Sequence, residues 1–373
     1  MNDNSLGIYI HIPYCDGKCN YCDFYSFKSH ETDFDNYTNY LVNKIWSVSD
    51  LYKDKIVDTI YFGGGTPALV ADRLIGSKRI IKILESVFKS FRIASGCEIS
   101  VEANPASADN FDFSQLKFNG VNRISLGMQS ANDEELKLLG RRHAKTDVVN
   151  TVERIIGSGI DNFSLDVMMG IPLQTESSLI ETLDFCNSLN APHISTYLLT
   201  VEPNTVFGKN YNMYEFADDD KQADLYSLCC EQLLSMGYEH YEVSNFCKYD
   251  KYSRHNMRYW QLKDYLGLGP SAHSLINGKR FYYPRNVNDF YNDIIIEDGV
   301  GNTLDEYIML SLRTSEGIDL NELKRRTNNN ISSKFKNKIE LFADKGYVKY
   351  DENRIRLTEK GFLLSNAIIA ELI

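Results

Sequence analysis

Residues 9–24 read YIHIPYCDGKCNYCDF, and the spacing Cys15-x3-Cys19-x2-Cys22 within them decides how the rest of the chain is read. Alternation of apolar residues up to Ile12 predicts a strand over 7–12, and Pro13 with the Gly, Asn and Asp behind it predicts a loop. Three thiols therefore sit in one loop at the C-terminal end of a strand. Three thiolates in so short a loop can hold three irons of a cubane, leaving the fourth iron open to an exogenous ligand with amino and carboxylate groups. Structural zinc normally brings a second CxxC pair, which this chain lacks. A zinc loop with a distant fourth ligand, His11 or His30, is the remaining alternative. Three uncoordinated thiols there would be an oxidation liability without benefit.

Outward from this loop, short β-rich segments alternate with longer helical ones. Strands are predicted at 7–12, 58–62, 98–101, 123–127, 162–167 and 193–199, with helices at 33–50, 79–91, 133–139, 147–157 and 176–189. Six strand-then-helix units predict an α/β fold with a parallel sheet and right-handed crossovers, a partial (β/α)6 barrel. In such barrels chemistry sits at the C-terminal strand ends. Each predicted strand runs into a polar or Gly-rich stretch: HIPYC, GGGTP at 63–67, EANP at 102–105, GMQS at 127–130, Asp166 followed by GIP at 170–172, and TVEPNT at 200–205.

The bulk numbers narrow the setting. The chain of 373 residues suits two to three domains, and 43% hydrophobic with 24% charged residues is an ordinary globular composition. A net charge of −11 opposes generic nucleic-acid binding, which needs a surplus of Lys and Arg. The N-terminus lacks the basic and apolar segments of a signal peptide, and no uncharged apolar run is long enough to span a bilayer. A cytoplasmic protein is expected, with peripheral membrane contact left open. Cys97, Cys186, Cys229, Cys230 and Cys247 are scattered through apolar or helical stretches and read as small buried hydrophobes. The expected division is 1–215 for the barrel, 216–300 for a linking region and 301–373 for a C-terminal module. That module has helices followed by a short hairpin, the pattern of a small winged helix, and net acidity favours packing or partner contact over DNA binding.

The cysteine triplet strongly resembles the signature of the radical-SAM superfamily, whose [4Fe–4S] cluster coordinates S-adenosylmethionine (SAM). The resemblance tightens over nearly the whole chain to the oxygen-independent coproporphyrinogen III oxidase family and its heme-chaperone branch. It rests on YIHIPYCDGKCNYCDF, YFGGGTP, EANP, RISLGMQS, LGRRH, DVMMGIPLQT and YLLTVEPNT. It implies a cluster on Cys15, Cys19 and Cys22. It also implies a SAM site from Tyr9, Gly64, Gly65, Thr66, Glu102, Gln129, Arg141 and Asp166. The side-chain chemistry agrees: the carboxylates can accept from ribose or ammonium, Arg141 can pair with the SAM carboxylate, and Gln129 can bridge polar groups.

Three features separate the branches. The oxidase pattern has a fourth cysteine two residues after the third, where this chain has Phe24. The oxidase carries a long N-terminal extension, whereas 14 residues precede Cys15 here. Residues 255–260, HNMRYW, resemble the HNxxYW heme-binding motif of the chaperone branch and are followed by DYLGLGPSAHS at 264–274. A neutral imidazole is a good axial ligand for heme iron, and Tyr259 and Trp260 offer flat apolar surface with polar tips. His273 is a second candidate ligand. A hydrogen-bonded loop histidine and a core tryptophan are the plainer alternative for His255 and Trp260. The resemblance implies a heme carrier that delivers to acceptor hemoproteins, respiratory-chain proteins among them, and a cluster-dependent homodimer. The alternative is an enzyme: radical-SAM decarboxylation of coproporphyrinogen III, or radical chemistry on another substrate.

Overall fold

Six strands alternate polar and apolar residues, and that alternation gives the sheet a polar inside and an apolar outside. The computed structural model describes residues 4–28, 31–67 and 75–373. The strands are β1 (Ser5–Ile12), β2 (Ile56–Gly64), β3 (Arg92–Ala103), β4 (Arg123–Gln129), β5 (Phe163–Met169) and β6 (His193–Leu198), parallel and adjacent in chain order. Their register sets like faces side by side. Tyr9 pairs with Tyr61, Tyr61 with Ser100 and Ser100 with Arg123. One step along, Glu102 pairs with Ser125, Ser125 with Ser164 and Ser164 with His193. These side chains face inward, while Ile8, Phe62, Val101, Leu126 and Leu165 face outward.

The outer face is covered by α1 (Glu31–Ser49), α2 (Ile75–Ser90), α3 (Phe113–Phe118), α4 (Asp133–Leu138), α5 (Lys145–Gly157) and α6 (Glu176–Ser188). Leu41 and Ile45 of α1, Val87 of α2, Val152 and Ile155 of α5 and Leu179 and Leu183 of α6 join the outward strand residues in one core. The expected helices are all present, within a few residues at each end. The strand expected at 98–101 is longer: its first residues are polar and partly exposed, yet Arg92 and Ile93 pair with Ile56 and Val57. Solvated pairs of that kind carry no apolar alternation for a sequence reading to detect.

The sheet continues past both edges of the barrel. After α7 (Val206–Lys209) and α8 (Asp219–Ser235), a hairpin of β7 (Glu239–Glu242) and β8 (Asn245–Cys247) joins β6 antiparallel. Then α9 (Arg254–Trp260) leads to β9 (Tyr265–Leu268), which lies parallel to β1. The strands β10 (His273–Ile276) and β11 (Lys279–Tyr282), a short α10 (Val287–Tyr291) and β12 (Ile296–Val300) complete a 12-stranded sheet. The C-terminal module is α11 (Leu304–Ser311), β13 (Ile318–Asp319), α12 (Leu320–Arg326), α13 (Ser333–Asp344), β14 (Val348–Tyr350), β15 (Arg354–Leu357), α14 (Glu359–Leu363) and α15 (Ser365–Leu372). Its three-strand sheet, ordered β13-β15-β14, has the helix–strand–helix–helix–hairpin order of a winged helix.

Helix α9 closes the base of the barrel. The Glu98 carboxylate at the lower end of β3 accepts the backbone N–H of Arg254 at 3.1 Å and of His255 at 2.9 Å, satisfying donors that a helix start leaves open. Arg258 pairs with Asp58 and donates to Ser5 Oγ and the Asp264 carbonyl. The core and the surface should respond very differently to truncation. Leu126→Ala, at a site with no exposure, should cost about 2–5 kcal/mol in chemical denaturation. Phe118→Ala, at 86% exposure, should cost no more than about 0.5 kcal/mol.

Candidate functional site

The cysteine loop is pinned from two sides before any ligand is considered. Cys15 N–H donates to the Phe27 carbonyl at 3.1 Å, and Cys22 N–H to the Cys19 carbonyl at 3.1 Å. Asn20 donates from its backbone to Leu139 at 3.0 Å and from its side chain to Leu138 at 2.8 Å, and its carbonyl accepts Phe207 N–H at 2.9 Å. Cys15, Cys19 and Cys22 are partly exposed, whereas the other five cysteines are buried. The zinc alternative needs a fourth ligand beside these three thiols. His11, one proposed fourth ligand, is buried with Nδ1 on Tyr9 Oη at 3.1 Å and Nε2 on the Tyr25 carbonyl at 2.9 Å. His30, the other, lies outside the described residues.

Above the lumen a cavity of about 550 Å³ opens beside this loop. Its walls include Cys15, Cys19, Cys22, Gly64, Gly65, Thr66, Glu102, Gln129, Arg141 and Asp166. Tyr9 is not among them: its ring packs 6.1 Å from that of Tyr61, which is on the wall. The glycines are sterically required. Gly64 has φ +111, and a Cβ there would stand 2.6 Å from the His11 ring; a Cβ on Gly65 would collide with the Tyr14 carbonyl. Gln129 ends β4 with φ +73, an uncommon conformation for a non-glycine residue, and the strand register shifts there.

The two carboxyls are held differently. Glu102 accepts from Tyr61 Oη at 2.9 Å and Gly64 N–H at 3.1 Å, and burial, opposed by these bonds, pushes it up to about 7. Asp166 accepts from Ser125 Oγ at 3.1 Å, and burial pushes it up to about 6. Arg141 donates to Cys19 Sγ at 3.5 Å and to Asn104 Oδ1 and the Gly127 carbonyl, while its Nε is buried without a partner among the described residues. Its guanidinium thus leans on a loop sulfur rather than standing free for a carboxylate. Tyr61, Asn104 and Ser125 are site residues that the sequence reading did not single out. The signal for Tyr61 and Ser125 was a polar residue recurring every second position within apolar strands.

The motif at 255–260 lies elsewhere. His255 contacts β2 at Thr59, five residues below Gly64 and therefore about 16 Å down the strand. The ring is fully buried, with Nδ1 2.9 Å from Thr59 Oγ1 and Nε2 2.9 Å from Tyr259 Oη. Burial, with the Arg258 guanidinium, holds His255 down to about 3, so it is neutral. The motif names His255, Tyr259 and Trp260 as heme contacts, with a hydrogen-bonded His255 as the plainer alternative. In this conformation both His255 nitrogens are engaged, and the Tyr259 hydroxyl is spent on His255. The polar face of α9 with Arg254, Met257 and Arg258 instead borders a second cavity of about 300 Å³, shared with Ser315 and Glu316. His273 is exposed and stacks on Tyr282 at 4.8 Å, away from both cavities.

The raised Glu102 sets a pH dependence. Its folded pKa lies above the ordinary 4.5, so between about 4.5 and 7 the folded chain holds a proton that the unfolded chain has released. Stability therefore falls as pH rises through that window and levels above it. Glu102→Gln, which stays neutral, should gain about 3 kcal/mol on the ligand-free wild type between pH 4.5 and pH 8, read by urea denaturation at both. Parallel curves would show that Glu102 titrates normally.

Comparison with known proteins places this geometry. Residues 9–186 match the model of the radical SAM superfamily, and residues 302–364 match that of the HemN C-terminal domain. The chain is 32% identical over 375 residues to heme chaperone HemW of Bacillus subtilis (strain 168), covering 96% of this chain and 97% of the relative. It is 36% identical over 272 residues to heme chaperone HemW of Escherichia coli (strain K12), covering 73% and 70%. Among solved structures, coproporphyrinogen III oxidase (HemN) from Escherichia coli, described as a radical SAM enzyme, superposes with a TM-score of 0.83 over 98% of this chain and 89% of that one. At 22% identity that likeness shows the fold alone. Identity above 30% across almost the whole length of both chains shows the family: this chain belongs to the HemW heme-chaperone family of the radical-SAM superfamily.

Proposed function

We propose that this protein binds heme and passes it to acceptor hemoproteins, and that it carries a [4Fe–4S] cluster with SAM at the open iron. The observation that carries the reading is the HNMRYW segment. It forms a helix of its own, α9, whose histidine is held neutral, the state an iron ligand requires. Phe24, 65% exposed on the cavity wall where the oxidase pattern has cysteine, supports the carrier over the oxidase.

The donor set lining the upper cavity suits the cofactors. Cys15, Cys19 and Cys22 would hold the cluster, with Arg141 beside the Cys19 sulfur. Carbonyls of the Gly64–Thr66 turn, with Glu102 and Asp166, would receive the ammonium and ribose of SAM, and Gln129 would bridge its polar edge. When bound, the cluster supplies a redox-active iron with one open coordination site. The chain's own part is to position the ligand and to shield it with apolar groups such as Met168 and Leu199.

Heme would meet His255 only after α9 moves, because its ring nitrogens are occupied by Thr59 and Tyr259. Opening would exchange the polar ties of α9, among them those to Glu98, Asp58, Ser5 and the Asp264 carbonyl. Respiratory-chain acceptors, peripheral membrane contact and a cluster-dependent homodimer belong to the same reading. Among the described residues no helix is long and apolar enough to cross a membrane.

Anaerobic hemin titration of cluster-reconstituted protein tests this. A saturable Soret band is expected in the wild type and a shifted, weakened one in His255→Ala. Tyr259→Phe removes one hydrogen bond from the closed state and should speed heme uptake, by up to about tenfold. Equal, non-saturating spectra in wild type and His255→Ala would remove the carrier reading; formation of protoporphyrinogen from coproporphyrinogen with SAM and reductant would replace it with the oxidase. For the cluster, Cys19→Ala should abolish the visible charge-transfer absorption and lower bound iron, whereas Cys97→Ala, a change of a buried thiol remote from the loop, should alter neither.

A further inference from the structure

Away from the cavity and from α9, one more group of side chains has the chemistry of a ligand set. Cys230 of α8, His240 of β7 and Glu359 at the start of α14 each offer a donor atom, and the three atoms lie within 4.8 Å of one another. The group spans the seam between the barrel and the C-terminal module. Cys230 and His240 are buried, while the Glu359 side chain is 47% exposed, so the group opens to solvent at one corner.

The packing around it fixes the donors in advance. The His240 ring lies nearly flat on Phe246 of β8, with centroids 4.1 Å apart at 12°, and Phe362 of α14 stands 4.8 Å away. Its Nδ1 is 2.7 Å from Glu359 Oε2. Its Nε2 is buried and has no hydrogen-bond partner among the described residues, on a side chain that is 1% exposed. A neutral imidazole that donates through one nitrogen carries a lone pair on the other, and leaving it bare in the interior costs a hydrogen bond. A metal that shares Glu359 with this ring takes Nδ1, the nitrogen facing the carboxylate, and the ring proton then sits on Nε2.

We propose that Cys230, His240 and Glu359 form a site for a transition-metal dication of the zinc class, with water in the fourth position. One thiolate sulfur, one imidazole nitrogen and one carboxylate oxygen make a borderline-soft donor set that suits zinc and not calcium or magnesium. Tetrahedral closure needs donors roughly 3.3–3.7 Å apart. That lies between the 2.7 Å of the existing His240–Glu359 contact and the 4.8 Å limit of the group, and Glu359, on the exposed side, has room to adjust. The charges balance. The thiol releases its proton to solvent, and thiolate plus carboxylate neutralise the dication, so the occupied group carries no net charge. Occupancy ties α8 and β7 to α14 and staples the C-terminal module to the barrel.

The test uses the full chain with its cluster reconstituted, so that Cys15, Cys19 and Cys22 are engaged by iron. After equilibration with zinc and removal of excess, metal analysis should find one zinc per chain. Zinc K-edge absorption should show a single sulfur at about 2.3 Å with nitrogen and oxygen at about 2.0–2.2 Å. Zinc should raise the thermal midpoint of the wild type and leave that of Cys230→Ser unchanged. Glu359→Gln, a change at an exposed position that spares the fold, should weaken zinc binding at least tenfold. Absence of stoichiometric zinc, a shell with two or more sulfurs, or undiminished binding in Cys230→Ser would each overturn the site.

Discussion

Burying polar and charged groups inside an apolar-walled sheet is the constraint on which the rest of this structure depends. Arg123 is 2% exposed, and Glu98, Glu102, Asp166, His193 and His255 surround the same lumen. Each such group destabilises the fold unless it is bonded. The lumen is therefore wired: His193 bridges Ser164 and Tyr241 at 2.8 Å each, Ser164 reaches Ser195 at 3.0 Å, and Tyr241 accepts Ser253 N–H just ahead of α9. The wiring explains why the base is sealed by a helix rather than a loop. An α-helix start presents unpaired N–H groups, and Glu98 needs donors; each solves the other's deficit.

The same constraint decides what could be read from the sequence. The parallel barrel was legible because outward strand faces are apolar and because Gly-rich or polar turns punctuate every strand end. The cavity was legible because cysteine, glycine and carboxylate positions in CxxxCxxC, GGGTP and EANP carry chemistry wherever the fold puts them. The strands β7 to β12 were not. They are short, several are aromatic or half-exposed, and β9 is placed by a pairing with β1 between residues more than two hundred positions apart. Tyr9 illustrates a subtler failure. Its place beside the cysteine loop in sequence points to the site, but its ring packs on Tyr61 and its hydroxyl on His11 instead of joining the cavity wall.

His255 shows where a motif informs and where it stops. HNMRYW names the residues but says nothing of their exposure. In the fold its histidine faces inward because His255 and Tyr259, four apart on α9, share a face, and that face is the one turned to Thr59 and Tyr61. Arg254, just ahead of the motif, and its two variable positions, Met257 and Arg258, border the second cavity. A reading of the motif alone would place the ligand on the surface; a reading of the helix places it behind one.

The two ends of the lumen are nonetheless in physical contact. Tyr61 donates to Glu102 at the cavity and stacks on His255 at 5.3 Å, and His255 in turn meets Tyr259. Contiguity of this kind is not coupling; coupling needs an element with two positions that both ends bias. Helix α9 has the structure of such an element. Its hold on the barrel includes two backbone bonds to Glu98, an ion pair to Asp58, the Arg254 bond to the Gly96 carbonyl, the hydrogen bonds of His255 and Arg258, and ring contacts of His255 with Tyr61 and of Tyr259 with Tyr265. Moving the helix would leave the buried Glu98 and half-buried Asp58 carboxylates in need of other partners, so any displacement must replace those bonds rather than merely break them. It is behind this set of ties that the chain keeps its neutral histidine.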